Sequence, residues 1–279
     1  MKVGVLGGGR MGAGIAHAFL LAGCEVVVVE RDDASADAAT ARILDSIARS
    51  VERGATSANA RVLESALAVG IDLAAFAGCE LVIEAVPEDR ALKTDALRRM
   101  EAVAPEAVLA SNTSSISIDA LASALTSPER LLGLHFFNPV PASALVEIVV
   151  GSATDPSLVD AGRGWIETIG KTPIVVRDSP GFASSRLGVA LALEAIRMLE
   201  SGVASAEDID RAMELGYRHP IGPLRTTDIV GLDVRLGIAE ELQAELGDRF
   251  APPDLLRRLV AEGKLGRKSG EGFYEWETP

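Results

Sequence analysis

The chain has 279 residues, 48% of them hydrophobic and 24% charged, enough for two compact domains whose cores need no metal or disulfide staple. A net charge of -13 works against nucleic-acid phosphates as a partner, and no uncharged stretch is long enough to span a bilayer. The N-terminus has no apolar leader with a cleavage site, which predicts a cytoplasmic protein. Cys24 and Cys79 lack metal-ligand spacing, and each precedes an apolar run, so both read as buried and inert.

The first half alternates short β-branched runs with longer helical stretches. Val3–Leu6 reads as a strand and Met11–Ala22 as a helix ended by Gly23. Glu25–Glu30, with its row of valines, reads as a buried strand. A long alanine-rich helix runs from Ala34 to Arg53, and Ser57–Val69 reads as a second helix ended by glycine. Leu81–Ala85 predicts a strand, Asp89–Val103 a helix and Ala107–Ala110 a strand. Leu131–Leu134 and Val146–Val150 follow as strands, Asp155–Ile169 as a helix and Pro173–Val176 as a last strand. Such alternation predicts a parallel sheet covered on both faces.

The pattern changes at Asp178-Ser179-Pro180-Gly181, beyond which β runs disappear. Ser184–Glu200, Ala206–Leu215, Asp228–Leu246 and Asp254–Glu262 all carry helical spacing. A boundary near Asp178 divides the chain into residues 1–178, an α/β domain, and 179–279, an all-helical domain expected to cover substrate or to dimerise.

Gly7-Gly8-Gly9-Arg10-Met11-Gly12 satisfies G-x-G-x-x-G at Gly7, Gly9 and Gly12. Alone the pattern is weak. Here it follows a strand and opens a helix, the context in which free N–H groups at a helix N-terminus meet a pyrophosphate. Arg10 and Met11 lie inside this cofactor-binding loop. The first domain is therefore expected to be a Rossmann-type doubly wound sheet. Glu30 ends the second strand, where an acid accepts from ribose hydroxyls and repels a 2′-phosphate, so NAD is favoured over NADP. Arg31 follows at once and weakens that preference. Asp32 and Asp33 suit the cap of the next helix better than Glu30 does.

Ala110-Ser111-Asn112-Thr113-Ser114-Ser115 follows a strand, and in a doubly wound sheet that end faces the ligand crevice. Asn112 is accordingly expected at the cofactor. By itself the run reads equally as a turn capping the next helix. His135 follows another strand, twelve residues before Glu147. Only three histidines are present, so few groups can serve as a base near neutrality. His17 lies inside the first helix and His219 before a proline turn, and both read as structural.

On these residues the sequence resembles the short-chain L-3-hydroxyacyl-CoA dehydrogenase family, and bacterial 3-hydroxybutyryl-CoA dehydrogenases within it. The likeness runs through Gly7–Ala16, Val82–Glu88, Ser111–Ser115, His135–Pro139, Leu145–Ile148, Asp178–Phe182, His219–Leu224 and Leu265–Tyr274. It implies NAD-dependent interconversion of (S)-3-hydroxyacyl-CoA and 3-oxoacyl-CoA. It implies His135 as general acid and base, Glu147 as its orienting acceptor, and Ser114 as a hydrogen-bond partner of the substrate oxygen. Glu88, Lys93 and Lys268 match cofactor contacts. Arg49 and Arg53, four apart in the long helix, would meet the phosphates of coenzyme A, although a solvated face is nearly as good a reading of each. Ser185 stands where the family usually has a substrate-positioning asparagine, so that contact is expected to need a water. The helical domain is expected to form a homodimer. No metal is expected, and neither a membrane nor a nucleic-acid partner. A dehydrogenase of a hydroxy acid or sugar acid lacking CoA, and a silent NAD-binding structural relative, remain as alternatives.

Overall fold

The computed structural model describes residues 1–277, which cluster into two compact units, Met1–Asp178 and a second beginning at Ser179. In the first, the elements run β1 (Lys2–Leu6), α1 (Arg10–Leu21), β2 (Glu25–Val29), α2 (Asp33–Glu52), α3 (Ala60–Ser65), β3 (Leu67–Gly70), β4 (Leu81–Glu84), α4 (Arg90–Val103) and β5 (Val108–Ser111). They continue with α5 (Ile118–Ala122), β6 (Leu131–Phe136), β7 (Leu145–Val150), α6 (Ser157–Thr168) and β8 (Thr172–Arg177). The strands form one eight-stranded sheet in the order β3-β2-β1-β4-β5-β6-β7-β8. The chain builds outward from β1 in one direction and then from β4 in the other. Such a reversal opens a crevice at the carboxyl ends of the two strands.

The strands are apolar because both faces are covered. Val26 to Val29 in β2 are all buried, as are Leu81, Val82 and Ile83 in β4. Each such side chain contributes about 1.5–3 kcal/mol relative to leaving it in water. Asp32 caps α2 by accepting from the N–H of Ser35 at 2.7 Å. Cys24 and Cys79 are buried thiols, and burial raises both above the ordinary range.

Two sequence expectations for this unit need correction. Ser57–Val69 is not one helix: it holds the short α3 and then β3, which pairs in parallel with β2 from Val26↔Leu67 to Val29↔Gly70. β3 is a four-residue edge strand, too short for a period of two to stand out against the helical residues before it. Nor is the sheet wholly parallel, because β7 runs antiparallel to β6. Residues 137–144 join these strands without a helix, whereas a parallel return needs a crossover of about a dozen residues or more.

The second unit comprises α7 (Ser184–Glu200), α8 (Ala206–Tyr217), α9 (Pro223–Val230), α10 (Leu232–Leu246) and α11 (Asp254–Ala261). Val189, Leu193, Ile196, Leu224, Leu232 and Leu256 form its core. The single helix expected over Asp228–Leu246 is two. Gly231 adopts φ +108°, outside the helical range, and α9 begins earlier, at Pro223. Buried Asp228 accepts from the N–H groups of Phe273 and Tyr274 and from Nε1 of Trp276, which ties the last described segment to α9.

Candidate active site

The glycine loop lies between β1 and α1, at the reversal of the sheet. Gly7 has φ +95°, a conformation open to glycine at little cost. A Cβ on Gly12 would overlap the carbonyl oxygen of Gly7, so α1 starts this close to β1 only with glycine there. A Cβ on Gly9 would meet nothing within 4 Å, which leaves the backbone over the helix N-terminus open to approach. Glu30, just past β2, accepts from the N–H of Gly8 at 2.7 Å. The acid expected at the ribose is thus joined to the loop expected at the pyrophosphate. This set of donors and acid fits a dinucleotide. Arg10 opens α1 with an exposed side chain and Met11 is half-buried against the core. Arg31 is largely exposed and pairs with Asp32.

His135 and Glu147 are opposed residues of the antiparallel pair β6 and β7. The imidazole Nδ1 lies 2.7 Å from Oε2 of Glu147. Glu147 is fully buried and His135 is 6% exposed. A carboxylate accepts only, so Nδ1 carries the proton and Nε2 is the basic ring nitrogen. Phe137 packs on the imidazole with ring centroids 4.5 Å apart. Asn112, one residue past β5, accepts from the N–H of Phe136 at 2.9 Å. That bond joins the hydroxyl-rich loop to the residue after the histidine.

The same loop is gathered by Glu88. Its Oε1 lies 2.6 Å from the Thr113 hydroxyl, 2.8 Å from the Ser114 N–H, 3.2 Å from the Ser114 hydroxyl and 3.1 Å from the Ser115 N–H. Behind it sits Lys93, 1% exposed. The Lys93 ammonium meets Oε2 of Glu88 at 3.2 Å, Oε1 of Glu84 at 2.8 Å and the carbonyl of Val86 at 3.1 Å. Glu84 is fully buried at the end of β4 and also accepts from the Ser111 hydroxyl at 2.6 Å. Burial pushes the Glu88 carboxyl up, but the Lys93 charge and the Thr113 and Ser114 donors outweigh it and hold the group below its ordinary range. The sequence marks Ser111 and Thr113 only as members of the hydroxyl-rich run, and Glu84 only within the Val82–Glu88 stretch, with no role for any of the three. The available signal was an acid closing an otherwise apolar strand, as Glu30 closes the strand before α2.

Arg49 pairs with Asp45 one turn earlier on α2, and Arg53 is the exposed cap residue at the end of that helix. His17 is buried between α1 and α2, with Nε2 3.0 Å from the Ser50 hydroxyl. Burial draws it below the ordinary histidine range, as suits a structural role. In the second unit, Ser185 stands in the first turn of α7. The Lys268 ammonium there lies 2.6 Å from Asp233.

An open α/β sheet with a glycine loop at its reversal, an acid after its second strand and a histidine–carboxylate pair near the same edge defines a dinucleotide-dependent oxidoreductase. Comparisons agree. Residues 2–179 match the family model described as 3-hydroxyacyl-CoA dehydrogenase, NAD binding domain, and residues 181–276 match the 3-hydroxyacyl-CoA dehydrogenase, C-terminal domain. A probable 3-hydroxybutyryl-CoA dehydrogenase of Deinococcus radiodurans is 42% identical over 278 residues, covering 99% of this chain and 100% of its own. The crystal structure of FadB2 from M. tuberculosis matches at a TM-score of 0.93 and 43% identity, over 99% and 98% of the two chains. That of (S)-3-hydroxybutyryl-CoA dehydrogenase PaaH1 from Ralstonia eutropha matches at 0.94 and 38%, over 99% of each. The chain belongs to the 3-hydroxyacyl-CoA dehydrogenase family, and its cofactor is NAD.

Proposed function

We propose that the chain interconverts (S)-3-hydroxyacyl-CoA and 3-oxoacyl-CoA, with 3-hydroxybutyryl-CoA and acetoacetyl-CoA as the pair it turns over. NAD, when bound, supplies the nicotinamide carbon that accepts or returns hydride. The observation that carries the reading is the 2.7 Å contact of His135 Nδ1 with Glu147. It fixes the tautomer in which Nε2 takes the 3-hydroxyl proton during oxidation and returns it during reduction. The buried carboxylate stabilises the imidazolium formed on the way.

Ser114 hydrogen-bonds the substrate oxygen, and Glu88 holds Ser114 in position. Lys93 then serves the cofactor end through Glu88, since its ammonium already meets Glu84, Glu88 and Val86. Gly7, Gly9, Arg10, Met11, Gly12, Glu30, Asn112 and Lys268 make up the rest of the cofactor-binding set. Arg49 and Arg53 meet the phosphates of coenzyme A, with Asp45 competing for Arg49. Ser185 reaches the substrate through a water. The chain works in the cytoplasm as a homodimer, and the exposed Leu187, Ile229 and Val234 of the helical unit support an apolar partner face.

NADH absorbance is followed with acetoacetyl-CoA, beside free acetoacetate and with NADPH as a cofactor control. Oxidation with NADH and the CoA ester alone is expected, and His135→Gln is expected to abolish it while leaving NADH binding intact. Turnover of free acetoacetate at a similar rate would favour the CoA-free alternative instead.

A further inference from the structure

Lys171 stands between α6 and β8, where the cap of α6 puts it. Its N–H bonds the carbonyl of Ile166 at 3.0 Å, and the N–H of Gly170 bonds that of Glu167 at 2.9 Å, the paired bonds of a Schellman turn. The Lys171 ammonium then donates to the carbonyls of Val140 and Ser143, at 2.6 and 2.5 Å. Burial alone acts on the group and draws it below the ordinary lysine range, with no acid raising it. A partly buried charge that no acid meets costs free energy, so its presence is explained by the two carbonyls it holds.

Those carbonyls belong to the connection 137–144, which starts two residues after His135. Inside it, the N–H groups of Ala142 and Ser143 turn back to the carbonyl of Pro139. That shapes the segment without fastening it to the rest of the unit. Lys171 fastens it, together with the N–H of Thr172 on the Ala144 carbonyl at 2.6 Å. Val140 is buried against Gly14 of α1, where a Cβ would come within 2.9 Å of the valine Cβ. At the near end of the same segment, Phe137 lies on the imidazole of His135, with centroids 4.5 Å apart and planes inclined by 45°. The bond from Nδ1 to Glu147 holds one end of the imidazole. A contact on the ring face sets the plane in which Nε2 points. Every residue of this chain of contacts lies in the first unit.

We propose that Lys171 is a positioning residue for His135: by clasping the connection it holds Phe137 on the imidazole and so aims Nε2. The effect on turnover rests on the dehydrogenase reading, whereas the effect on the ring does not.

The test compares wild type with Lys171→Met, Lys171→Arg, Phe137→Leu and the double variant of Lys171→Met with Phe137→Leu. Lys2→Met is the control. The Lys2 ammonium makes the same kind of clasp, on the carbonyls of Ala75 and Ala77, at the strand starts rather than the end that carries His135. Thermal melts verify folding throughout. Imidazole proton resonances are read first. The chain has three histidines, and the His135 signal is the one lost in His135→Gln, which separates it from His17, a residue that feels the Lys171 charge. Lys171→Met is expected to move the His135 signal toward its place in Phe137→Leu, because the ring current of Phe137 is withdrawn. Lys171→Arg is expected to stay near wild type and Lys2→Met to match it. With NADH and acetoacetyl-CoA, kcat is expected to fall about 10- to 100-fold in Lys171→Met while KM is retained. The double variant is expected to fall no further than Phe137→Leu, since both changes act through one contact. An unmoved His135 signal in Lys171→Met would overturn the proposal, as would losses of kcat that multiply in the double variant. An equal loss of kcat in Lys2→Met would overturn it in favour of general stability. A His135 signal that moves as expected, in a protein whose wild type does not turn over acetoacetyl-CoA, would uphold the positioning role and sink the dehydrogenase reading.

Discussion

Glu88 accepts from both the backbone N–H and the hydroxyl of Ser114, at 2.8 and 3.2 Å. One carboxylate thus fixes the position of a loop residue and the direction of its O–H together. Its carboxyl is held below the ordinary glutamate value despite burial, chiefly by the Lys93 ammonium. A folded-state value below the unfolded one means stability that is present above pH 4.5 and lost as pH falls through the lower, folded value. Urea midpoints measured between pH 7 and pH ~3 are expected to fall more steeply for wild type than for Glu88→Gln. Parallel curves would remove Glu88 from the acid response.

Lys93 and Glu84 are sealed from solvent together. Lys93→Met leaves the Glu84 carboxylate without its cation, and losing one partner of a buried pair costs about 3–5 kcal/mol. Denaturant unfolding of the first unit's transition reads this. The double variant with Glu84→Gln is expected to recover part of the loss, because the two sites are coupled.

Glu147→Gln offers Nδ1 an amide that can donate as well as accept, so the histidine tautomer is no longer fixed. The expected fall in kcat is about 10²- to 10⁴-fold with NADH affinity retained. A fall in NADH affinity matching that in kcat would assign Glu147 to the architecture of the sheet instead.

Gly12→Ala puts a Cβ where the Gly7 carbonyl oxygen stands. Either α1 moves away from β1 or the loop opens, and both spoil the backbone donors aimed at a pyrophosphate. Fluorescence titration is expected to detect weaker NADH binding by at least about tenfold, while a Gly9→Ala control, with open space at its Cβ, is expected to keep its fold.

Elements with strong local chemistry are legible in the sequence. The valine row of β2 and the glycine stops after α1 and α2 mark their own limits, and α7 is read at its observed bounds. What escapes the sequence depends on neighbours. β3 is a strand because β2 offers it an open edge, and the break at Gly231 is backbone conformation inside a continuous apolar pattern. In the site, His135, Glu147 and the glycine loop can be picked out because their chemistry is rare or their spacing is specific. Glu84 and Thr113 cannot, since their value comes from Lys93 and Glu88 folding over them.

The antiparallel pairing of β6 and β7 sets His135 opposite Glu147 as a cross-strand couple. The dyad is therefore addressed by counting along a ladder. Adding one residue within β7 ahead of Glu147 would turn that carboxylate to the opposite face of the sheet. Adding one among residues 137–144 would leave the ladder in step, so long as Lys171 still clasps the carbonyls of Val140 and Ser143. Variation in that connection can reshape the ground around the histidine while the histidine–carboxylate pair stays in place.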